Sequence, residues 1–294
     1  MVNFSDWMLD IQQRMELTLG SYLEAPASDL AGLYEAMRYA VLGGGKRVRC
    51  LLAFAAGESS AASIDVLEVV AASIEMIHAY SLVHDDMPEM DNDVLRRGKP
   101  TCHVRYGQAM ALLAGDALQA RAFELLANLN LAVPERKLRM IKILSKAAGP
   151  AGMVGGQAID FVNVGISLSF QQLERMHQLK TGALIHAAVM IGGLAGDLGQ
   201  DREEILDAYG RQVGLLFQVV DDVLDAVAST ELLGKTAGKD AEDHKPTYVT
   251  ILGLDTARRF AVDLHKSAVL SVSSLGREGH NLVELADFIL QRQF

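Results

Sequence analysis

Apolar residues recur at the three-to-four-residue spacing of a helix along nearly the whole chain, and this pattern limits the fold more than any single motif does. Between Asp65 and Asp86, Val66, Val69, Val70, Ile74 and Ile77 form one stripe, while Asp65, Glu68 and Glu75 fall on another side. Comparable stretches run roughly over 5–22, 29–42, 46–57, 105–129, 134–156, 170–195, 201–228, 255–274 and 280–292, with glycine and proline between them. No stretch alternates apolar and polar residues with β-branched enrichment, so no sheet is expected. The pattern predicts an all-α fold, a large helical bundle. No repeat, low-complexity tract or Pro/Ser-rich linker interrupts it, so residues 1–294 read as one domain.

Charge and cysteine content narrow the function. A formal net charge of -10 argues against a general nucleic-acid or acidic-membrane surface, since both require clustered Lys and Arg. Any anionic partner must therefore be met locally. Cys50 and Cys102 make neither a disulfide framework nor a zinc spacing, and the N-terminus MVNFSDWMLD lacks the pattern of a signal peptide. A cytoplasmic location follows as an expectation. The most apolar segment, ALIHAAVMIGGLAG from Ala183 to Gly196, is too short to span a bilayer and reads as a buried core helix rather than a membrane insertion.

Two acidic clusters need an explanation. HDDMPEMDND places Asp85, Asp86, Glu89, Asp91 and Asp93 within nine positions, and FQVVDDVLD places Gln218, Asp221, Asp222 and Asp225 on one face of a helix. Like charges at i and i+4 destabilise a bare helix by roughly 0.2–0.5 kcal/mol per pair. One such cluster alone is equally well a solvated helix face or a cap. Two suggest a divalent cation, and Mg²⁺ characteristically takes one or two carboxylates plus phosphate oxygens and water. Six residues on a regular helix separate Asp85 from Asp91 by about 240°. Both serve one site only if the helix breaks between them, and Pro88 supplies the break. His78 lies two turns earlier, nearly on the face of Asp85 and about 10.5 Å along the axis.

Basic residues cluster too: LGGGKRVR holds Lys46, Arg47 and Arg49; LRRGK holds Arg96, Arg97 and Lys99; LKTG holds Lys180; GKTAGKDAEDHK holds Lys235, Lys239 and Lys245. Each cluster by itself is compatible with a solvated surface. Several adjoin glycines, where backbone approaches an anion closely. Carboxylates, cations and glycine turns together point to two polyanions held through metal and guanidinium.

LGGGKRVR, EMIHAYSLVHDDMPEMDNDVLRRGKPTCH, LAGDAL, GMVGGQAID, LERMHQLKTGALI, GLLFQVVDDVLD and LGKTAGKD follow one another in an order that closely resembles the trans-isoprenyl diphosphate synthases, and within them the bacterial farnesyl diphosphate synthases. The resemblance runs over most of the chain. It implies an all-α bundle around a deep central cavity, with the two aspartate motifs facing each other and about three Mg²⁺ ions bridging them to an allylic diphosphate. Asp85, Asp91 and Asp221 become the metal ligands, supported by Asp86, Asp222 and Asp225. Arg96, Lys180, Lys235 and Lys245 would grip the allylic diphosphate of dimethylallyl or geranyl diphosphate. Gly45, Lys46, Arg49, His78 and Arg97 would hold the diphosphate of isopentenyl diphosphate. Thr181 and Gln218 would face the allylic cation, and Lys180, Thr181, Gln218 and Lys235 form the catalytic set.

Tyr80 and Ser81, one turn before Asp85, stand where this family measures chain length, so a C15 product, farnesyl diphosphate, is expected. Geranylgeranyl or geranyl diphosphate is the alternative product. The family also implies a homodimer. Cys50 stands where the family usually has proline, and in KPTYV Pro246 and Val249 replace a small residue and a proline. A different class fits some residues: Glu75/His78 and Glu174/His177 are ExxH pairs of the kind that hold di-iron in four-helix bundles. That reading leaves both aspartate clusters unexplained. Intact aspartate motifs argue against a silent regulatory subunit, and DDVLD argues against a terpene cyclase.

Overall fold

The computed structural model describes residues 3–131, 133–227 and 246–292. The helices are α1 (Phe4–Tyr22), α2 (Ala31–Val41), α3 (Val48–Glu58), α4 (Ile64–Asp85), α5 (Cys102–Tyr106), α6 (Gln108–Asn128) and α7 (Pro134–Ala148). They continue as α8 (Met153–Val162), α9 (Phe170–His177), α10 (Ala183–Ala195), α11 (Gln200–Val227), α12 (Tyr248–Leu252), α13 (Leu254–Val272) and α14 (His280–Leu290). The all-α expectation is met, with departures that local chemistry explains. The stretch 105–129 divides at Gly107, whose φ of +86° ends α5 and begins α6. The stretch 134–156 divides at Gly149 and Pro150, because proline cannot continue the hydrogen-bond ladder.

One small sheet corrects the expectation of none. Leu95–Arg96 and Lys99–Pro100 pair antiparallel through the turn Arg97–Gly98, where both residues have positive φ (54° and 72°). A two-residue loop with that backbone matches the twist of its strands, and two-residue strands leave no alternation to read from sequence.

Helix α10 is buried along most of its length and lies among α3, α4, α7 and α11. This bears out the core reading of Ala183–Gly196. Among the described residues α4 is the helix long and apolar enough to cross a membrane, yet most of it is buried inside the bundle. Caps mark the elements around the site. Ser169 and Gln172 form a reciprocal capping box at the start of α9, and Thr247 and Thr250 do the same for α12.

Candidate active site

Helix α4 stops at Asp85, three residues before Pro88, and the chain turns back so that the Asp91 N–H donates to the Asp85 carbonyl at 2.9 Å. The break therefore brings the two ends of the acidic run together. Burial pushes the Asp85 carboxyl up to about 6, Lys180 opposes the shift, and neighbouring Asp91 adds to it. Asp86 points elsewhere. It is buried and takes the Arg96 guanidinium in a fork, with Nε 2.9 Å and Nη2 2.5 Å from Oδ1; Arg96 also reaches Asp93 at 3.4 Å.

A cavity of about 480 Å³ opens beside Asp85. It brings together Arg49, His78, Tyr80, Ser81, Asp85, Lys180 and Thr181. Arg96 and Arg97 line a separate, smaller hollow with Gly43 and Asp86, and Gln218 and Asp222 line another that shares Lys180 with the main cavity. Gly45, Lys46, Asp91 and Asp221 line none of these three. Lys235, Lys239 and Lys245 lie outside the described residues.

On the cation side, burial lowers the pKa of Arg49, and Glu75 and Asp221 only partly offset it; its buried Nε has no hydrogen-bond partner among the described residues. Burial also lowers Lys46 and Arg97. His78 is held well below its ordinary value by burial and then by Arg49, Arg97, Arg96 and Arg47, so its imidazole is neutral. Arg49 and His78 are the desolvated members of this group, while Lys46 and Arg97 remain exposed beside them, an arrangement able to receive an anion. The glycine turn joins this side to the hairpin. Arg97 Nη1 donates to the Gly44 carbonyl at 2.6 Å, and a Cβ on Gly45 (φ +107°) would come within 2.8 Å of the Arg97 guanidinium carbon. Only glycine leaves room for that approach.

Arg47, two residues before Arg49, has a different task. Its guanidinium donates to Glu75 (2.6 Å), Glu16 (2.8 Å) and the Val41 carbonyl (2.7 Å), which fixes the turn into α3. Glu75 is thereby committed, and among the described residues no three His, Cys, Asp or Glu side chains close into a metal cage. The di-iron reading loses one of its ExxH glutamates to that ion pair.

Opposite, α9 runs into α10 through one π-helical turn, Gln178–Gly182, that carries Lys180 and Thr181. Such turns re-aim side chains by one residue. Helix α8 lies directly on this backbone, since a Cβ on Gly156 would sit 2.1 Å from the Lys180 nitrogen. Lys180 Nζ meets Asp160 at 2.5 Å. Thr181 donates to Gln218 Oε1 at 2.8 Å, Gln218 Nε2 donates to Asp222 Oδ1 at 2.7 Å, and the Tyr248 N–H donates to Asp222 Oδ2 at 2.8 Å. Asp222 thus fixes the Gln218 amide with its oxygen towards Thr181. His177, stacked on Tyr248, is pushed down to about 3 mainly by burial and stays neutral.

Asp221 sits three residues after Gln218 on α11 and meets Arg292 Nη1 at 3.1 Å, while Arg292 rests on the Phe217 ring, 3.8 Å from its centroid. Sequence reasoning missed Arg292 and Asp160, and considered His177 only as an iron ligand. Asp160 falls within the GMVGGQAID segment, which was a usable signal; a lone arginine near the C-terminus gave none. The donor set fits Mg²⁺: Asp85 and Asp91 converge, their negative charge is crowded, and the remaining coordination is left for phosphate oxygens and water.

The polyprenyl synthetase family model matches residues 31–269. The chain belongs to the polyprenyl synthetase family. Farnesyl diphosphate synthase of Escherichia coli is 45% identical, over 97% of this chain and 99% of that protein. An FPP/GFPP synthase from Zymomonas mobilis, solved without ligand, superposes with a TM-score of 0.89 at 39% identity, covering 98% of this chain and 99% of that one. A geranyltransferase from Helicobacter pylori, solved with magnesium and isoprenyl diphosphate, gives 0.86 at 34% identity, covering 99% and 97%. Members of this family use isoprenyl diphosphates and Mg²⁺, and the all-α synthase fold expected from the sequence is the fold of these neighbours.

Proposed function

We propose that this chain is a farnesyl diphosphate synthase: it condenses isopentenyl diphosphate with dimethylallyl and then geranyl diphosphate, releasing diphosphate and ending at C15. One observation carries the reading. A single, largely apolar cavity is lined by a carboxylate, Asp85, by the cations Arg49 and Lys180, and by His78 and Thr181, so that charged groups suited to metal and diphosphate border a space suited to a prenyl tail. The 45% identity to a farnesyl diphosphate synthase over almost the full length of both chains supports the product class.

Asp85, Asp91 and Asp221 would hold the metal. When bound, Mg²⁺, about three ions by family resemblance, supplies positive charge to the departing diphosphate. Lys180 grips the allylic diphosphate beside Asp85, Arg96 acts from the hairpin, and Lys235 and Lys245 complete that grip. As the allylic C–O bond ionises, the Thr181 hydroxyl oxygen and the Gln218 amide oxygen face the cation, Gln218 oriented by its hydrogen bond to Asp222 and Thr181 by its own to Gln218. Gly45, Lys46, Arg49, His78 and Arg97 hold isopentenyl diphosphate so that its double bond attacks the cation. The proton then lost goes to the released diphosphate, which removes the need for a side-chain base.

Tyr80, 5% exposed and facing the cavity, and Ser81 would limit the tail. Residues 1–294 act as one domain, and the enzyme works as a cytoplasmic homodimer. Incubation with isopentenyl diphosphate, dimethylallyl or geranyl diphosphate and Mg²⁺, followed by product sizing, tests the proposal. A C15 product is expected; no product longer than the starter overturns it, and a main C20 or C10 product reassigns the enzyme as a geranylgeranyl or geranyl diphosphate synthase. Tyr80→Ala is expected to lengthen the product, and unchanged C15 output removes Tyr80 from the ruler.

A further inference from the structure

The side chain that touches Tyr80 edge-on is His84, four residues on along α4, with ring centroids 5.6 Å apart and planes at 77°. A spacing of four places both rings on one helix face, and both line the cavity. On its far side the His84 ring fills a gap in α6. Its Nε2 lies 3.2 Å from the Leu112 carbonyl, and a Cβ on Gly115 would stand 2.1 Å from the same nitrogen. No real side chain tolerates that distance, so Gly115 is the seat that lets the ring lie back against α6. Any larger residue there drives the ring towards Tyr80 and the cavity.

We infer that His84, seated in the gap left by Gly115, is the second member of the chain-length floor and fixes how far the Tyr80 ring projects across the tail cavity. The inference rests on the prenyl-elongation reading above. It assigns specificity to a residue pair reaching across two helices rather than to Tyr80 alone. An aromatic edge-to-face pair favours one relative orientation by roughly 0.5–1.5 kcal/mol, so the Tyr80 ring loses a defined stop when its partner is removed.

The test is the C20 to C15 to C10 ratio made from dimethylallyl diphosphate and excess isopentenyl diphosphate. His84→Ala is expected to raise the C20 to C15 ratio by about tenfold, the scale on which apolar pockets discriminate small differences in chain size. Gly115→Ala, which pushes the ring inward, is expected to raise C10 at the expense of C15. In His84→Ala/Gly115→Ala no ring remains to be pushed, so the ratio returns to that of His84→Ala. A ratio, unlike total turnover, is unaffected by a loss of folded protein. Should Gly115→Ala fail to fold, His84→Ala decides alone. An unchanged ratio in His84→Ala, or an equal effect of Gly115→Ala with and without His84, overturns the inference while leaving the proposed function intact; wild-type protein making nothing beyond its starter overturns that function instead.

Discussion

The two charged sides of the cavity settle their charges in opposite ways. Around α11, Asp222 has Gln218 and the Tyr248 N–H, and Asp160 has Lys180, so these carboxylates are already part of a fixed scaffold. Around α3, Lys46, Arg49, His78 and Arg97 all carry pKa values lowered first by burial. Asp85 shows the mirror image, a carboxylate raised by burial. The contrast separates two kinds of group. Asp222 and Asp160 have their charge matched within the protein and hold neighbouring side chains in place, whereas Arg49, His78 and Asp85, which line the main cavity, are left desolvated with less than full compensation. The same rule separates neighbours within a motif, because Arg47 is paired three ways and Arg49 is not.

That contrast breaks if the wrong members prove essential. The largest effect is expected for Asp85→Ala and Asp221→Ala, each lowering kcat/KM by about a hundred- to a thousandfold, as the loss of transition-state charge stabilisation does elsewhere. Wild-type turnover by either variant, measured at saturating Mg²⁺, sinks its metal role. Arg47→Gln strands the buried Glu75 and is expected to cost ~3–5 kcal/mol of stability, read by urea unfolding. Arg49→Gln should leave stability almost unchanged or raise it, because it removes a strained charge, while raising KM for isopentenyl diphosphate by ~10–100-fold, the worth of a charge-assisted hydrogen bond. If the two arginine variants behaved alike, the distinction between the two kinds of group would fail.

The smallest effect concerns Asp85 and pH. Its carboxyl in the fold sits at about 6, above the ordinary value of 3.8, so the fold prefers the protonated form. That preference favours folding at low pH and is lost as pH rises through about 6; above it the buried charge is a net cost. Asp85→Asn is therefore expected to raise the metal-free melting temperature at pH 8 by roughly 2–4 °C. At pH 4.5 the same substitution should change little. A gain of equal size at both pH values would show that desolvated charge is not the cause.

Much of the site was legible in advance. Asp85, His78, Arg49, Lys180 and Thr181 were singled out from sequence and do line one cavity. Pro88 does follow a helix end that draws Asp91 back to Asp85. The legible part depends on short-range rules: helical spacing, a proline stop, glycine beside cations. Arg96 shows the limit. Nothing local told that its fork would close on Asp86, ten positions back, rather than stand open. The hairpin that presents it was invisible because strands of two residues carry no period.

By itself, then, the sequence determined the helical class, the two acidic ends and the supply of cations, since each depends on spacing within a few turns of chain. Only the tertiary structure decided which charges are matched. Arg292 reaches Asp221 across 71 positions, Gln218 is oriented by a carboxylate that Tyr248 anchors, and His84 finds its seat at Gly115 on another helix. Whether a charge is settled depends on desolvation and on partners distant in sequence, and both exist only once the helices have packed.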